Sequence, residues 1–374
     1  MNFFNQFDVI YLQPRLRMDA RIILHLFLIF FSFQPVKMCN KSPEKNMTVL
    51  RTENSTKSEE NEDYDYDDMS ATVDESSEEE DDSSDAFQDV EDEEMCAVTV
   101  NNDPKEQRLP EAVIIGTKKG GTRALLEFLN MHSKIKRAKK EIHFYDKRYS
   151  EGVQWYIDQM PLVTQDEIGM EKTPGYFHTS GVARRMWSVN NRSKLIIIVR
   201  HPVTRLISDY NQFRSNNLAR GASYPDLESL VLGDTGSVDP GYPPLIRSVY
   251  HQHMTRWLDI FPANQIHVVD GDTFIRSPWT ELEQLEQFLG LESELREDNF
   301  YFNTSKGFYC GRQEVRRLDS EWSCFRSKCL SPSKGRPKPQ VSPLLITQLT
   351  QFFIPHNQKF FKLIGKQFDW NREP

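Results

Sequence analysis

An α/β fold is predicted: a P-loop-like parallel sheet flanked by helices, in a single domain behind a disordered stem. Three observations predict it. Between residues 109 and 370 short apolar runs alternate with helical patterns, as in a parallel sheet covered by helices. Residues 114–129, IIGTKKGGTRALLEFL, read as a buried strand, a glycine-bearing turn with two lysines, and a helix. Before residue 108 the composition turns acidic and poor in apolar residues, so that stretch cannot offset the entropy of ordering.

Taken in order, the chain opens with residues 1–21, which carry Arg15, Arg17 and Arg21 and read as a cytoplasmic tail. Residues 22–36 follow as a signal-anchor helix. Their apolar run is short for a bilayer span, yet no A-x-A-like cleavage site follows it, so an uncleaved type II anchor is favoured over a cleaved signal. Residues 37–107 form the disordered, acidic, luminal stem. Between residues 53 and 94 there are 21 Asp/Glu and one Lys, a local charge of −20, so the whole-chain −9 leaves +11 for everything else. A basic body behind an acidic leader points to an anionic partner, reached through an attraction that salt weakens. Tyr64 and Tyr66, inside the acidic run, resemble tyrosine-sulfation sites. Sequons at Asn46, Asn54, Asn191 and Asn303 are candidate glycosylation sites; the one at Asn40 is weakened by Pro43. Of the five cysteines, Cys310, Cys324 and Cys329 cluster late, and two of them should bridge in an oxidising lumen.

In the body the clearest strands are residues 113–115, 195–199 and 266–269. Helices are expected directly after the Gly/Lys turn and over 203–213, 249–260 and 279–289, with a helix pair over 343–364 broken at Pro355. A strand, a Gly/Lys turn and a helix N-terminus make an anion site, because unpaired N–H groups and the helix dipole face the bound charge. The lysines precede the glycines, which is not the Walker A order, so a phosphate-like group other than magnesium ATP is expected there. Arg200 ends the second apolar strand, where α/β sheets bind ligands, and Ser208 lies about two helical turns beyond it. In KKEIHFYDK an extended backbone would turn Glu141 and His143 to one face, a carboxylate–imidazole pair suited to general-base work. The spacing offers too few ligands for a metal site. The basic Gly/Pro run at 331–340 reads as a loop closing over a nucleotide.

Together, IIGTKKGGTRALLEFL, KEIHFYD, EKTPGYF, VRHPVTRLISDY, HVVDGD, NFYFNTSKGFYC and CLSPSKGR resemble, in order and spacing, the heparan sulfate glucosamine 3-O-sulfotransferases. The resemblance covers nearly all of the body. It implies the sulfotransferase fold over residues 108–374 as the catalytic domain, and 3′-phosphoadenosine 5′-phosphosulfate as donor, with no metal required. It implies that Lys119, Gly120, Gly121, Thr122 and Arg123 hold the 5′-phosphosulfate and that Arg200 and Ser208 hold the 3′-phosphate. The late loop over the donor would be Lys334, Gly335, Arg336, Pro337 and Lys338. It makes Glu141 the catalytic base, with His143 and Asp146 beside it and Lys119 stabilising the leaving phosphate. Acceptor contacts map to the segment Glu141, Ile142, His143, Phe144, Tyr145, Asp146 and Lys147. They also map to Lys172, Thr173, Pro174, Gly175 and Gln212, and to Tyr242 and Pro243. Cys310 and Cys329 match the family's disulfide.

The expected partners are heparan sulfate chains and the Golgi membrane, which the N-terminal anchor would hold with the catalytic domain in the lumen; no nucleic acid is expected. Two departures stand out: the long insert at residues 311–328 with Cys324, and the paired Lys139 and Lys140 before Glu141, which bear on the acceptor pattern. Rival readings are N-sulfation of glucosamine, whose family resembles E-x-Q-F-F-N where this chain has His143 and Asp146, and a non-catalytic heparan-sulfate-binding protein. A P-loop kinase is disfavoured by the missing Walker order.

Overall fold

The computed structural model describes residues 103–233, 236–316, 323–330 and 339–374, with residues 313–316 and 323–328 as backbone only. The expected tail and anchor, the stem up to residue 102 and the late loop, with Asn46, Asn54, Cys39, Cys96 and Lys334 to Lys338, lie outside the described residues; near the expected end of the stem, Glu106 is bridged to Val163 by two backbone bonds of 3.0 Å.

The chain runs β1 (Ala112–Gly116), α1 (Thr122–Leu129), β2 (Ile135–Arg137), α2 (Phe144–Lys147), α3 (Gly152–Ile157), β3 (Ile168–Lys172), α4 (Val182–Val189), β4 (Lys194–Val199) and α5 (Pro202–Ala219). It continues through α6 (Leu227–Val231), α7 (Pro243–Ile246), α8 (Tyr250–Leu258), β5 (Ile266–Asp270), α9 (Gly271–Arg276) and α10 (Pro278–Leu289). Last come β6 (Phe300–Asn303), β7 (Phe308–Arg316), β8 (Ser323–Lys328) and α11 (Pro343–Ile364). Five strands form a parallel sheet in the order β2-β3-β1-β4-β5. The chain moves to one side of β1 for β3 and β2, then to the other for β4 and β5. The switch therefore falls between β1 and β4, the place where ligands bind in such sheets.

Strand alternation builds the core on both faces. Val113 and Ile115 of β1, with Leu195, Ile197 and Val199 of β4, point toward Phe177, Tyr176 and Trp257. Ala112, Ile114, Ile196 and Ile198 point the other way, onto Leu125, Leu129, Leu282 and Leu285. That two-sided burial is why these strands read as unbroken apolar runs.

Two expectations are corrected and one sheet is added. The chain near Pro355 does not break, because Leu349 and Phe353 before it and Phe360 and Phe361 after it are all buried, so packing carries one helix through the missing N–H. The stretch around Glu141 is not a strand: His143 takes a left-handed φ of 53° and opens the short α2. The three-stranded antiparallel sheet β6-β7-β8 was not foreseen, since its residues carry no apolar alternation strong enough to mark it. Cys310 and Cys329 are joined there, closing the β7–β8 hairpin at its base.

Candidate active site

The Gly/Lys turn follows β1 and is fixed from below. Thr117 donates through both its N–H and its hydroxyl to the Ile198 carbonyl of β4, at 3.0 and 2.9 Å. Gly120 donates to the Thr117 carbonyl at 2.8 Å. A Cβ on Gly120 would sit 2.5 Å from the Ile198 carbonyl oxygen and 2.7 Å from the Thr117 hydroxyl, so only glycine lets the turn lie on the sheet. Gly121, at φ 112°, starts α1 with no side chain capping it, which leaves the helix N-terminus directed at the turn. Gly120→Ala is expected to cost about 1–3 kcal/mol of stability by overpacking and to weaken donor binding at least tenfold, measured by denaturant unfolding and donor titration.

Lys119, in a left-handed conformation at φ 67°, reaches α5 and donates to Gln212 Oε1. Arg205, Ser208 and Gln212 are spaced three and four apart on α5, so they form one stripe beside the turn. Arg123 turns along its own helix to Glu127, at 2.9 Å. At the neighbouring strand end, Arg200 pairs with Asp272 at 3.4 Å. Asp272 also accepts the His201 N–H at 2.9 Å and the Trp370 indole at 3.3 Å. Gly271 permits this approach, since a Cβ there would meet Arg200 Cγ and the Val199 carbonyl oxygen, each at 2.6 Å.

Glu141, His143 and Asp146 form a chain. His143 Nε2 lies 3.4 Å from Glu141 Oε2, and His143 Nδ1 lies 2.9 Å from Asp146 Oδ2. Burial opposes the imidazolium, but hydrogen bonds and charge from Asp146 and Glu141 outweigh it and raise the His143 pKa from 6.5 to about 9. Lys172, at the end of β3, pairs with the other Glu141 oxygen. Gly175 packs against the cluster: a Cβ there would lie 3.1 Å from Asp146 Oδ2. Asp146 Oδ1 is buried with no hydrogen-bond partner among the described residues. The four-residue α2 that carries Asp146 is held by its rings, Phe144 stacking on Tyr156 at 4.5 Å and Tyr145 meeting Tyr176 at 5.5 Å.

Sequence reasoning missed Arg205, Asp209 and Arg247, since a lone arginine on a helix carries no mark of burial. Arg205 is fully buried, donating to the Lys118 carbonyl at 3.0 Å, Asp209 at 2.9 Å, Ser248 at 2.7 Å and the Pro244 carbonyl. Arg247 approaches the same Asp209 oxygen at 3.5 Å. These bonds tie the Gly/Lys turn to α7, which begins at Pro243 beside the buried Tyr242. Asn191 is exposed after α4. Asn303 spends its side-chain oxygen on Ser305 and Lys306 and lies with its amide nitrogen 3.9 Å from Cys329 Sγ. Among the described residues no cluster of three His, Cys, Asp or Glu side chains is placed to hold a metal.

Known proteins share this frame. A sulfotransferase domain family matches residues 109–361. Heparan sulfate glucosamine 3-O-sulfotransferase 5 of Homo sapiens is 43% identical over 267 residues, covering 71% of this chain and 75% of that protein. The 3-O-sulfotransferase 6 of the same species is 38% identical over 268 residues, with the same shares. A crystal structure of a sulfotransferase from Alicyclobacillus acidocaldarius superposes with a TM-score of 0.52 at 20% identity, covering 71% of this chain and 100% of that one, a likeness of fold. With an anion turn, a carboxylate–imidazole chain beside it and this kinship along the whole body, the chain belongs to the sulfotransferases, among the heparan sulfate glucosamine 3-O-sulfotransferases.

Proposed function

We propose that this protein transfers a sulfuryl group from 3′-phosphoadenosine 5′-phosphosulfate to the 3-hydroxyl of glucosamine in heparan sulfate. The observation that carries the reading is Glu141, paired with Lys172 and chained to His143 and Asp146, beside a Gly/Lys turn whose Lys119 reaches Gln212. The turn, the bare N-terminus of α1, and Arg200 fit a donor with phosphate at both ends, because they offer two separated anion sites at adjacent strand ends. The donor, when bound, supplies the sulfuryl group and a phosphate leaving group.

The residues of the chain then have distinct tasks. Glu141 takes the proton of the acceptor hydroxyl as the new sulfur–oxygen bond forms. Lys119 and the N–H groups of Gly121 and Thr122 meet the charge left on the phosphate oxygen as the old sulfur–oxygen bond breaks, preorganised electrostatics of the kind that dominates many such sites. Thr122, Arg123 and Ser208 complete the donor side, and Lys334 to Lys338 close over it. His143 orients Glu141 and is itself held by Asp146, whose unpartnered Oδ1 suits a hydroxyl of the sugar. Lys172, Pro174, Gly175, Gln212, Tyr242 and Pro243 face the acceptor, a polyanion that suits a body of charge +11 outside the acidic stretch, while Thr173 is wholly buried with its hydroxyl bonded inside the protein and stands behind them.

We place the protein in the Golgi membrane as a single-pass type II glycoprotein, anchored through residues 22–36, with residues 37–107 as stem and residues 108–374 in the lumen. Among the described residues no helix is long and apolar enough to cross a membrane, and residues 22–36 lie outside them. Exposed Asn191 is better placed for a glycan than Asn303.

Disaccharide analysis of heparan sulfate after incubation with residues 108–374 and labelled donor tests the activity. A labelled 3-O-sulfated glucosamine is expected. Label on the amine would move the protein to N-sulfation, and no label would leave a binding protein.

A further inference from the structure

The carboxylate of Glu171 has no part in the chemistry above, yet it is wholly buried beneath the base. Glu171 Oε1 accepts the Tyr156 hydroxyl at 2.7 Å and Oε2 accepts the Thr173 hydroxyl at 2.8 Å. The Thr173 hydroxyl, with its hydrogen drawn to Glu171, turns its lone pairs to the backbone of the catalytic segment, and the neighbouring Tyr176 oxygen holds the next two residues. Thr173 Oγ1 accepts the N–H groups of Ile142 and His143 at 3.3 and 3.4 Å. The Tyr176 oxygen accepts those of Phe144 and Tyr145 at 2.8 and 3.4 Å.

The geometry points to Glu171 as the positioning residue of the catalytic base: by taking the Thr173 hydrogen it makes that hydroxyl an acceptor for the N–H groups of residues 142 and 143, and so fixes Glu141 and His143. The inference rests on Glu141 as the base. It requires the ionised carboxylate, which only accepts. A protonated Glu171 must itself donate, so one hydroxyl has to turn its hydrogen away from Glu171 and lose a lone pair that now holds the backbone. The ionisable groups around it are Tyr156 on α3, His143 and Tyr145 on the α2 segment, and Tyr176 after β3. Its neighbour in sequence, Lys172, pairs with Glu141.

Burial raises the Glu171 pKa from 4.5 to about 7, against the hydroxyl bonds and His143, which lower it. A carboxyl with a raised folded pKa favours the folded state most below 4.5, and that contribution is lost as the pH rises through about 7. Activity runs the other way, rising as Glu171 ionises. A carboxylate that merely held the fold together would move stability and activity in the same direction.

Glu171→Gln in residues 108–374 separates the two. The expected result is a kcat at least tenfold lower, an unchanged donor Kd, an unchanged or higher Tm, and loss of the acid limb near pH 7 that Glu171 gives the wild type. Thr173→Ser, which keeps the hydroxyl, is expected to retain kcat within threefold, whereas Thr173→Val loses it. A Glu171→Gln kcat within threefold of wild type, or a kcat and Tm that fall together, overturns the assignment. An inactive wild type would instead overturn the sulfotransfer reading itself.

Discussion

Glu141→Gln is expected to lower kcat for sulfation of heparan sulfate by about 10²–10⁴-fold, the range general-base catalysis supplies, with the acceptor KM changed little. The amide keeps the size and one acceptor but cannot take the proton. Initial rates with labelled donor at saturating acceptor measure it, and a kcat within tenfold of wild type would sink Glu141 as the base. The substitution also changes how the protein responds to alkali. His143 is held as the cation by Asp146 and Glu141, so its contribution is present in full below 6.5 and is lost as the pH rises through about 9. That shift corresponds to roughly 3 kcal/mol at most. With Glu141 neutral, one of the two partners is gone, and unfolding free energies compared at about pH 7 and pH 9.5 should differ less in the variant.

Arg205→Ala is expected to destabilise the fold by about 3–5 kcal/mol, the usual result of removing one partner from a buried ion pair. Asp209 is left with Arg247 at 3.5 Å, and the Lys118 and Pro244 carbonyls and the Ser248 hydroxyl lose their donor. The double variant Arg205→Leu with Asp209→Leu should recover part of that loss, since both charges of the 2.9 Å pair go together and only the longer contact with Arg247 is given up. Urea midpoints of the two variants decide it; a double variant no more stable than Arg205→Ala contradicts the account. Arg205→Lys keeps the charge and loses the fork, so it should restore the pair with Asp209 but not the grip on the turn. Its signature is a raised KM for the donor at nearly normal stability.

What the sequence disclosed follows from what kind of pattern each element leaves. β1 and β4 are buried on both faces and their apolar runs were plain. The Gly/Lys turn was plain too, because Gly120 and Gly121 answer a geometric demand that no other residue meets. β2 and β3 were not seen, because Ile135–Arg137 is three residues long and Ile168–Lys172 carries Glu171 and Lys172 into the core. A buried carboxylate looks in sequence like a solvated one; only its neighbours Tyr156, Thr173 and Tyr176 reveal it. The same holds for Arg205. Glu141 and His143 were paired by assuming an extended backbone, and the pairing holds at 3.4 Å although the backbone turns. The conclusion survived a mistaken intermediate because a left-handed residue brings the same side chains together.

The bond from Lys119 to Gln212 joins a residue assigned to the donor with one assigned to the acceptor. On the proposed assignments, arrival of the phosphosulfate draws the ammonium toward the anion and loosens its bond to the glutamine, easing the turn of that amide to a sugar. Arrival of the sugar draws the amide away and leaves the ammonium available to the anion. Each ligand thus meets part of a cost that the other has already met, and thermodynamic linkage makes the two favours equal in size. On that reading the two halves of the cleft favour each other's ligand within a single subunit.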